Sequence, residues 1–136
     1  MITGKILVTG STGFVGKALC HALRCIGYDV LCSVRDSARV LAGQEYIVVE
    51  SLDSDTDWRQ ALVGCDTVVH LAGRAHILND NVVDPLSAFR SINTLGTLNL
   101  AEQAAESGVS RFIFLSSIGV NGAVTSGSPF CSSDLP

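Results

Sequence analysis

A chain of 136 residues, 47% apolar and 16% charged, is long enough for one domain with a proper core and too apolar to be disordered. Its formal charge of −4, with no basic cluster, argues against nucleic acid as the main partner. No apolar run reaches the roughly 18 residues that span a bilayer, and no charged-then-apolar leader opens the chain, so neither a membrane span nor a secretion signal is expected.

The strand and helix patterns alternate from the start. Lys5 to Thr9, built on Ile6-Leu7-Val8, reads as the first strand. Thr9-Gly10-Ser11-Thr12-Gly13-Phe14-Val15-Gly16 follows, and from Phe14 to Ile26 apolar residues recur at helical spacing. A strand, a glycine-rich turn and a helix in that order form a dinucleotide-binding site. The turn lets backbone approach a pyrophosphate, and the helix start offers unpaired N–H groups and a positive dipole end. Gly10 permits the tight turn, Gly13 removes a side chain where the cofactor comes close, and Gly16 lets helix and strand pack. Gly10, Thr12, Gly13, Phe14, Val15 and Gly16 are the expected pyrophosphate contacts.

Gly27 closes this helix, and Asp29 to Val34 is the second strand. A polar stretch, Arg35 to Gly43, leads to a third strand at Tyr46 to Val49. Asp57 to Val63 reads as a short helix closed by Gly64, and Thr67 to Leu71 as strand four. After a polar loop from Gly73, Asp84-Pro85 supplies an N-cap and a first-position proline for a long helix that runs to about Ser107. Leu86, Phe89, Leu95, Leu98 and Ala101 supply its core stripe. Arg111 to Ser116 is strand five, and Phe112-Ile113-Phe114-Leu115 is apolar on both faces, as a central parallel strand should be. The tail after Asn121 reads as loop.

Strands alternating with crossover helices imply an α/β doubly wound parallel sheet, the Rossmann fold, in the order 3-2-1-4-5, with ligands at the carboxyl ends of the strands. The five cysteines, Cys20, Cys25, Cys32, Cys65 and Cys131, are odd in number and lack C-x-x-C spacing. They suit neither a disulfide framework nor a zinc site, so no metal is expected. Most act as small hydrophobes, and a reduced, cytoplasmic compartment fits them.

The G-x-x-G-x-x-G spacing behind Thr9 resembles the extended short-chain dehydrogenase/reductase family, which includes NAD(P)-dependent nucleotide-sugar epimerases and dehydratases. The resemblance implies a cofactor, NAD or NADP, and assigns roles to several strand ends. Strand two closes Val34-Arg35-Asp36, where NAD-using epimerases carry Asp at the position of Val34. Arg35 follows as in NADP-using reductases and tilts the expectation towards NADP, although Asp36 could turn back to the ribose and Arg35 and Arg39 also read as solvated loop residues. Leu52 packs on the adenine ring. His70-Leu71-Ala72-Gly73 resembles the segment whose backbone runs beside ribose and phosphates, which makes Leu71, Ala72 and Gly73 cofactor contacts. His70 reads as a base or, by preference, as a packed histidine with a ring nitrogen satisfied. His76 borders the same region without an assigned role.

Asn93-Thr94-Leu95-Gly96-Thr97 is similar to the family's N-x-x-G-T segment, and Asn93 then bonds backbone and water near the catalytic centre. Gly96 serves close packing. Ser116-Ser117-Ile118-Gly119-Val120-Asn121-Gly122 resembles the S-S-x-x-V-Y-G signature of nucleotide-sugar epimerases, with Asn121 in place of Tyr. Ser117 matches the catalytic serine, and Ser116 a cofactor-contacting hydroxyl. The Thr-Asp-Glu of 4,6-dehydratases is replaced by Ser117-Ile118-Gly119, which disfavours elimination chemistry.

The family's base is the Tyr of Tyr-x-x-x-Lys, whose Lys lowers the Tyr pKa. The only tyrosines here are Tyr28 and Tyr46 and the only lysines Lys5 and Lys17, so that motif does not occur in the 136 residues. The expectation is one incomplete NAD(P)-binding Rossmann domain over residues 1–136, truncated after the fifth strand. It would be the N-terminal portion of a nucleotide-sugar 4-epimerase, with a UDP-sugar as substrate of the complete protein and little activity of its own. A non-catalytic NAD(P)-binding module and an NADP-dependent aldehyde or ketone reductase are the alternatives, and a homodimer through the long helix stays open.

Overall fold

The computed structural model describes residues 4–40, 43–75 and 82–135. Five parallel strands, β1 (Lys5–Thr9), β2 (Asp29–Val34), β3 (Tyr46–Val48), β4 (Cys65–His70) and β5 (Arg111–Phe114), form one sheet in the order β3-β2-β1-β4-β5. β1 lies at the centre, with Leu7 beside Leu31 of β2 and Val68 of β4. The sequence order of the strands reverses there, which opens a crevice at the carboxyl ends of β1 and β4.

Alternation along the strands divides the core into two layers. Ile6, Val8, Val30, Cys32, Val34 and Val69 face α1 (Phe14–Cys25), which contributes buried Cys20. Leu7, Leu31 and Val68 face the opposite layer, where Trp58, Leu62, Leu100 and Ala104 complete the packing. That second layer is made by the short α2 (Arg59–Leu62) and the long helix. α2 starts two residues later than the pattern suggests, because the Asp57 carboxylate accepts the Arg59 N–H at 3.0 Å and holds the chain out of the helix until Trp58.

The long helix is three segments run together: α3 (Pro85–Arg90), a π-helical turn (Ser91–Gly96) and α4 (Thr97–Glu106). Asp84 caps it, accepting the Ser87 N–H at 3.0 Å, with Pro85 at the first position as expected. The expected core stripe is corrected. Leu86, Leu95 and Leu98 are exposed, and Gly96, Leu100 and Ala104 face the sheet. The π turn closes i→i+5 bonds, so it rotates the inward face away from the register that an uninterrupted 3.6-residue period would keep.

Two features of the long helix hold the 51–58 segment. A Cβ on Gly96 would stand 2.6 Å from the Leu52 carbonyl oxygen, so only glycine admits that approach. The Asn99 amide donates to the carbonyls of Asp53 and Thr56 at 3.0 and 2.8 Å, and the Gln103 amide donates to Thr56 at 2.8 Å. β5 is the last strand of the sheet among the described residues, and Phe114 on it is half exposed. Substitution Gly96→Ala should push Leu52 outward and cost about 1–3 kcal/mol, read as a lower urea midpoint with an unchanged slope.

Candidate functional site

β1 ends in Thr9, which is fully buried. Its hydroxyl oxygen accepts the N–H groups of Leu71 and Ala72, both at 3.2 Å, and therefore donates its own hydrogen to His70 Nδ1 at 2.7 Å. That leaves the imidazole proton on Nε2, which donates to the Thr97 hydroxyl at 3.0 Å. Phe114 stacks on the same ring with centroids 5.7 Å apart. His70 is thus a packed histidine with both nitrogens satisfied. The reading as a base falls, since the ring is fully buried and burial holds its pKa down at about 4.

The glycine turn leaves this junction. Gly10 has φ +69°, and a Cβ there would stand 2.7 Å from the Ala72 nitrogen. A Cβ on Gly16 would collide with the Gly10 carbonyl oxygen. Gly13 differs from both. It has extended backbone and is the N-cap of α1, and an added Cβ would meet only the Gly10 oxygen, at 3.2 Å. No side chain caps α1, so the first-turn N–H groups of Phe14, Val15 and Gly16 have no intrahelical acceptor. The Phe14 side chain is almost wholly exposed, so this residue serves through its backbone. An uncapped helix start behind a side-chain-free turn suits an anion such as a pyrophosphate.

A cleft of about 500 Å³ runs from this turn across the strand ends, within the range of small-molecule and cofactor sites. Of the residues singled out from the sequence, Gly10, Thr12, Gly13 and Arg35 line it, and so do Leu52, Leu71, Ala72 and Gly73. Phe14, Val15, Gly16, Asn93, Ser116 and Ser117 are not on its wall. Asn93 stands behind it. Its Oδ1 accepts the Arg74 N–H at 2.7 Å and its Nδ2 donates to the Arg74 carbonyl at 2.9 Å, which pins the backbone after Gly73.

Ser116 and Ser117 are exposed beyond β5, whose end is tied to β4 by Leu115 N–H donating to the His70 carbonyl at 3.2 Å. The Ser117 hydroxyl accepts the Gly119 N–H at 3.1 Å. His76 lies outside the described residues. Arg74 and Ile92 also line the cleft, with the fully buried Trp58 packed behind its wall, and none of the three was singled out beforehand. Trp58 sits at the N-cap of a short helix and Ile92 in the π turn, positions whose direction depends on packing that no local pattern carries.

The electrostatics of the cleft are one-sided. Its charged lining residues are Arg35 and Arg74, with no carboxylate among the described residues on its wall. Asp36 turns away from it and accepts the Ala38 N–H at 2.9 Å as cap of a 3₁₀ turn. The described residues hold no cluster of three or more metal-ligating side chains, and no helix among them is long and apolar enough to cross a membrane.

The family model described as NAD dependent epimerase/dehydratase matches residues 6–135. The chain belongs to this family. It is 45% identical over 132 residues to a UDP-glucose 4-epimerase of Vibrio cholerae, covering 96% of this chain and 40% of that protein. Among solved structures, the UDP-glucose 4-epimerase of Thermus thermophilus in complex with NAD superposes with a TM-score of 0.80 at 27% identity, over 97% of this chain and 44% of that one. MoeE5 in complex with UDP-glucose and NAD gives 0.75 at 28% identity, over 98% of this chain and 42% of that one. The chain therefore spans about two fifths of the length of the relatives it matches.

The buried His70 makes the strand-end junction sensitive to acid. Unfolded, it binds a proton near pH 6.5; folded, only near 4. The unfolded state therefore binds more protons in that window, and stability falls as pH drops from about 6.5 towards 4. The loss should approach about 3 kcal/mol, measurable as urea midpoints between pH 7 and 4.5. His70→Asn should start lower but lose that slope.

Proposed function

We propose that this chain is the cofactor-binding portion of an NAD(P)-dependent nucleotide-sugar 4-epimerase of the UDP-sugar type, acting at the sugar C4. Residues 1–136 would form its Rossmann domain, and the sugar-binding part of the complete protein would lie outside them. The observation that carries this reading is the uncapped start of α1 behind Gly13, at the mouth of a cleft between β1 and β4 whose charged lining among the described residues is arginine alone.

The residues present fit a dinucleotide. The N–H groups of Thr12, Phe14, Val15 and Gly16 would hold the pyrophosphate, with Gly13, whose own N–H donates to the Gly10 carbonyl at 3.0 Å, giving it room through its bare α-carbon, and Gly10 and Gly16 would keep the turn in shape. Leu52, held forward by Gly96 and Asn99, would pack on the adenine. Leu71, Ala72 and Gly73 would follow the ribose and phosphates, with Asn93 steadying that backbone through Arg74. Arg35 would meet a 2′-phosphate, and with Asp36 already engaged as a cap, the cleft favours NADP over NAD. A dinucleotide held there would supply the hydride acceptor and donor that oxidation and reduction of the sugar carbon require.

Ser117 would hold the reacting sugar oxygen. Because its oxygen already accepts from Gly119, its hydrogen is the part left to donate, which orients the hydroxyl. Ser116 would contact the cofactor. The exposed apolar face of Leu86, Leu95 and Leu98 supports a homodimer, and five free thiols with no disulfide support a reducing, cytoplasmic setting.

Titration of the chain with NADPH and NADH tests the reading. Dinucleotide should bind, and Gly13→Ala should keep the fold while losing about tenfold or more in affinity. Arg35→Ser should weaken NADPH by about tenfold and leave NADH unchanged. Tighter binding of NADH than NADPH by the unsubstituted chain would overturn the role of Arg35. Epimerisation of a UDP-sugar by the 136 residues alone would overturn the placement of the general base beyond them.

A further inference from the structure

Behind the cleft wall, in the layer between β2 and α1, two thiols meet. The sulfurs of Cys20 on α1 and Cys32 on β2 stand 3.8 Å apart, and each residue is about 1% exposed. Arg24, one turn beyond Cys20, reaches into the same layer. One guanidinium nitrogen, Nη2, donates to the Cys32 sulfur and to the Val30 carbonyl, both at 3.1 Å. The other, Nη1, is buried without a partner. No carboxylate takes part in these contacts, so Cys32 is the acidic group beside that charge. A buried cation calls for an anion, and a Cys32 thiolate would supply it. A Cys20 hydrogen shared with Cys32, together with Arg24, holds the Cys32 thiol down at about 6 against the effect of burial. The same sharing, with burial, pushes Cys20 up.

The next residues carry the connection to the site. Ser33 and Val34 line the cleft, and the Ser11 hydroxyl of the glycine turn donates to the Ser33 carbonyl at 3.0 Å. We propose that Cys20 and Cys32 are a peroxide-reactive dithiol that closes to a disulfide and thereby lowers the affinity of the adjoining dinucleotide cradle. The second half rests on the function proposed above; the first does not.

The Cys32 thiolate attacks one oxygen of hydrogen peroxide. The O–O bond breaks, hydroxide departs, and Cys32 becomes a sulfenic acid. The Cys20 sulfur then attacks that sulfur. The S–O bond breaks, and the departing oxygen leaves as water with the Cys20 proton. Two thiols lose two electrons to one peroxide, and two waters form in all. The sulfurs must close from 3.8 Å to about 2 Å, which draws the middle of α1 towards β2 and moves the helix start that faces the cleft. Burial also selects the oxidant, since a small neutral peroxide enters where a bulky disulfide such as oxidised glutathione does not.

The test is peroxide treatment of the whole chain, blocking of residual thiols after unfolding, and peptide mapping. A Cys20–Cys32 link is expected, with Cys65, buried beside no second thiol, still reduced. Oxidised glutathione should modify only the exposed Cys25 and Cys131. Cys20→Ser should leave a sulfenic acid on Cys32 that dimedone traps, and Arg24→Gln, folded by circular dichroism, should slow the reaction about tenfold. NADPH affinity should fall several-fold on oxidation and return with dithiothreitol. Absence of the link once Cys25 and Cys131 are oxidised overturns the dithiol. A link that leaves affinity unchanged overturns its coupling to the cradle. Failure of both redox forms to bind dinucleotide would strike the proposed function, with the mapping still deciding the dithiol.

Discussion

The Thr9 hydroxyl is the constraint on which the rest of the site depends. Parallel strands leave their carboxyl ends without further ladder bonds, and at the crevice between β1 and β4 the two chains must diverge towards opposite layers. Thr9 spans that point with one donor and one acceptor oxygen, taking two N–H groups from the chain leaving β4 and giving its hydrogen to His70. His70 passes the connection to Thr97 on α4. One hydrogen-bonded line thus ties the central strand, its neighbour and the covering helix, with Thr9 and His70 fully buried. The close passage of Gly10 past Ala72 follows from it, and so does the direction in which the glycine turn leaves the sheet.

A second line of support comes from the interrupted helix. By turning its inward face, the π segment delivers Asn93 to the backbone of Arg74, and Gly96, Asn99 and Gln103 to the segment carrying Leu52. Both cleft walls beyond the glycine turn are therefore held from the same helix. The contacts made there are amide-to-carbonyl bonds on partly buried groups, which cost more when broken than they contribute when made. This gives the loops at the strand ends a defined position although they carry no regular structure.

The family resemblance and the geometry meet in the contrast among three glycines. Gly10 and Gly16 are demanded by the protein's own atoms, whereas Gly13 has room for a Cβ apart from one close carbonyl. Its bare α-carbon lies beside first-turn N–H groups that no side chain caps. The first pair belongs to folding. The third is the position at which we propose the pyrophosphate comes close, beside a cleft that carries positive charge.

The strands, their order and the glycine turn were legible in the sequence because each rests on local chemistry: period-two or continuous apolar runs, turn residues, and a handedness rule that leaves one way to wind the sheet. The cleft-lining positions Gly10, Gly13, Leu52, Ala72 and Gly73 were legible for the same reason, as each lies at a strand end or in the turn. The inward face of the long helix was not. Leu95 and Leu98 fit a helical period, but a π turn resets the period, and whether one forms depends on what Gly96 packs against in the Leu52 segment. The burial of Trp58 against the long helix and the meeting of Cys20 with Cys32 were likewise decided only by the tertiary structure. Sequence spacing states which faces a residue may occupy along its own element; which partner stands across the gap is set by how separate elements pack, and that is a property of the whole fold.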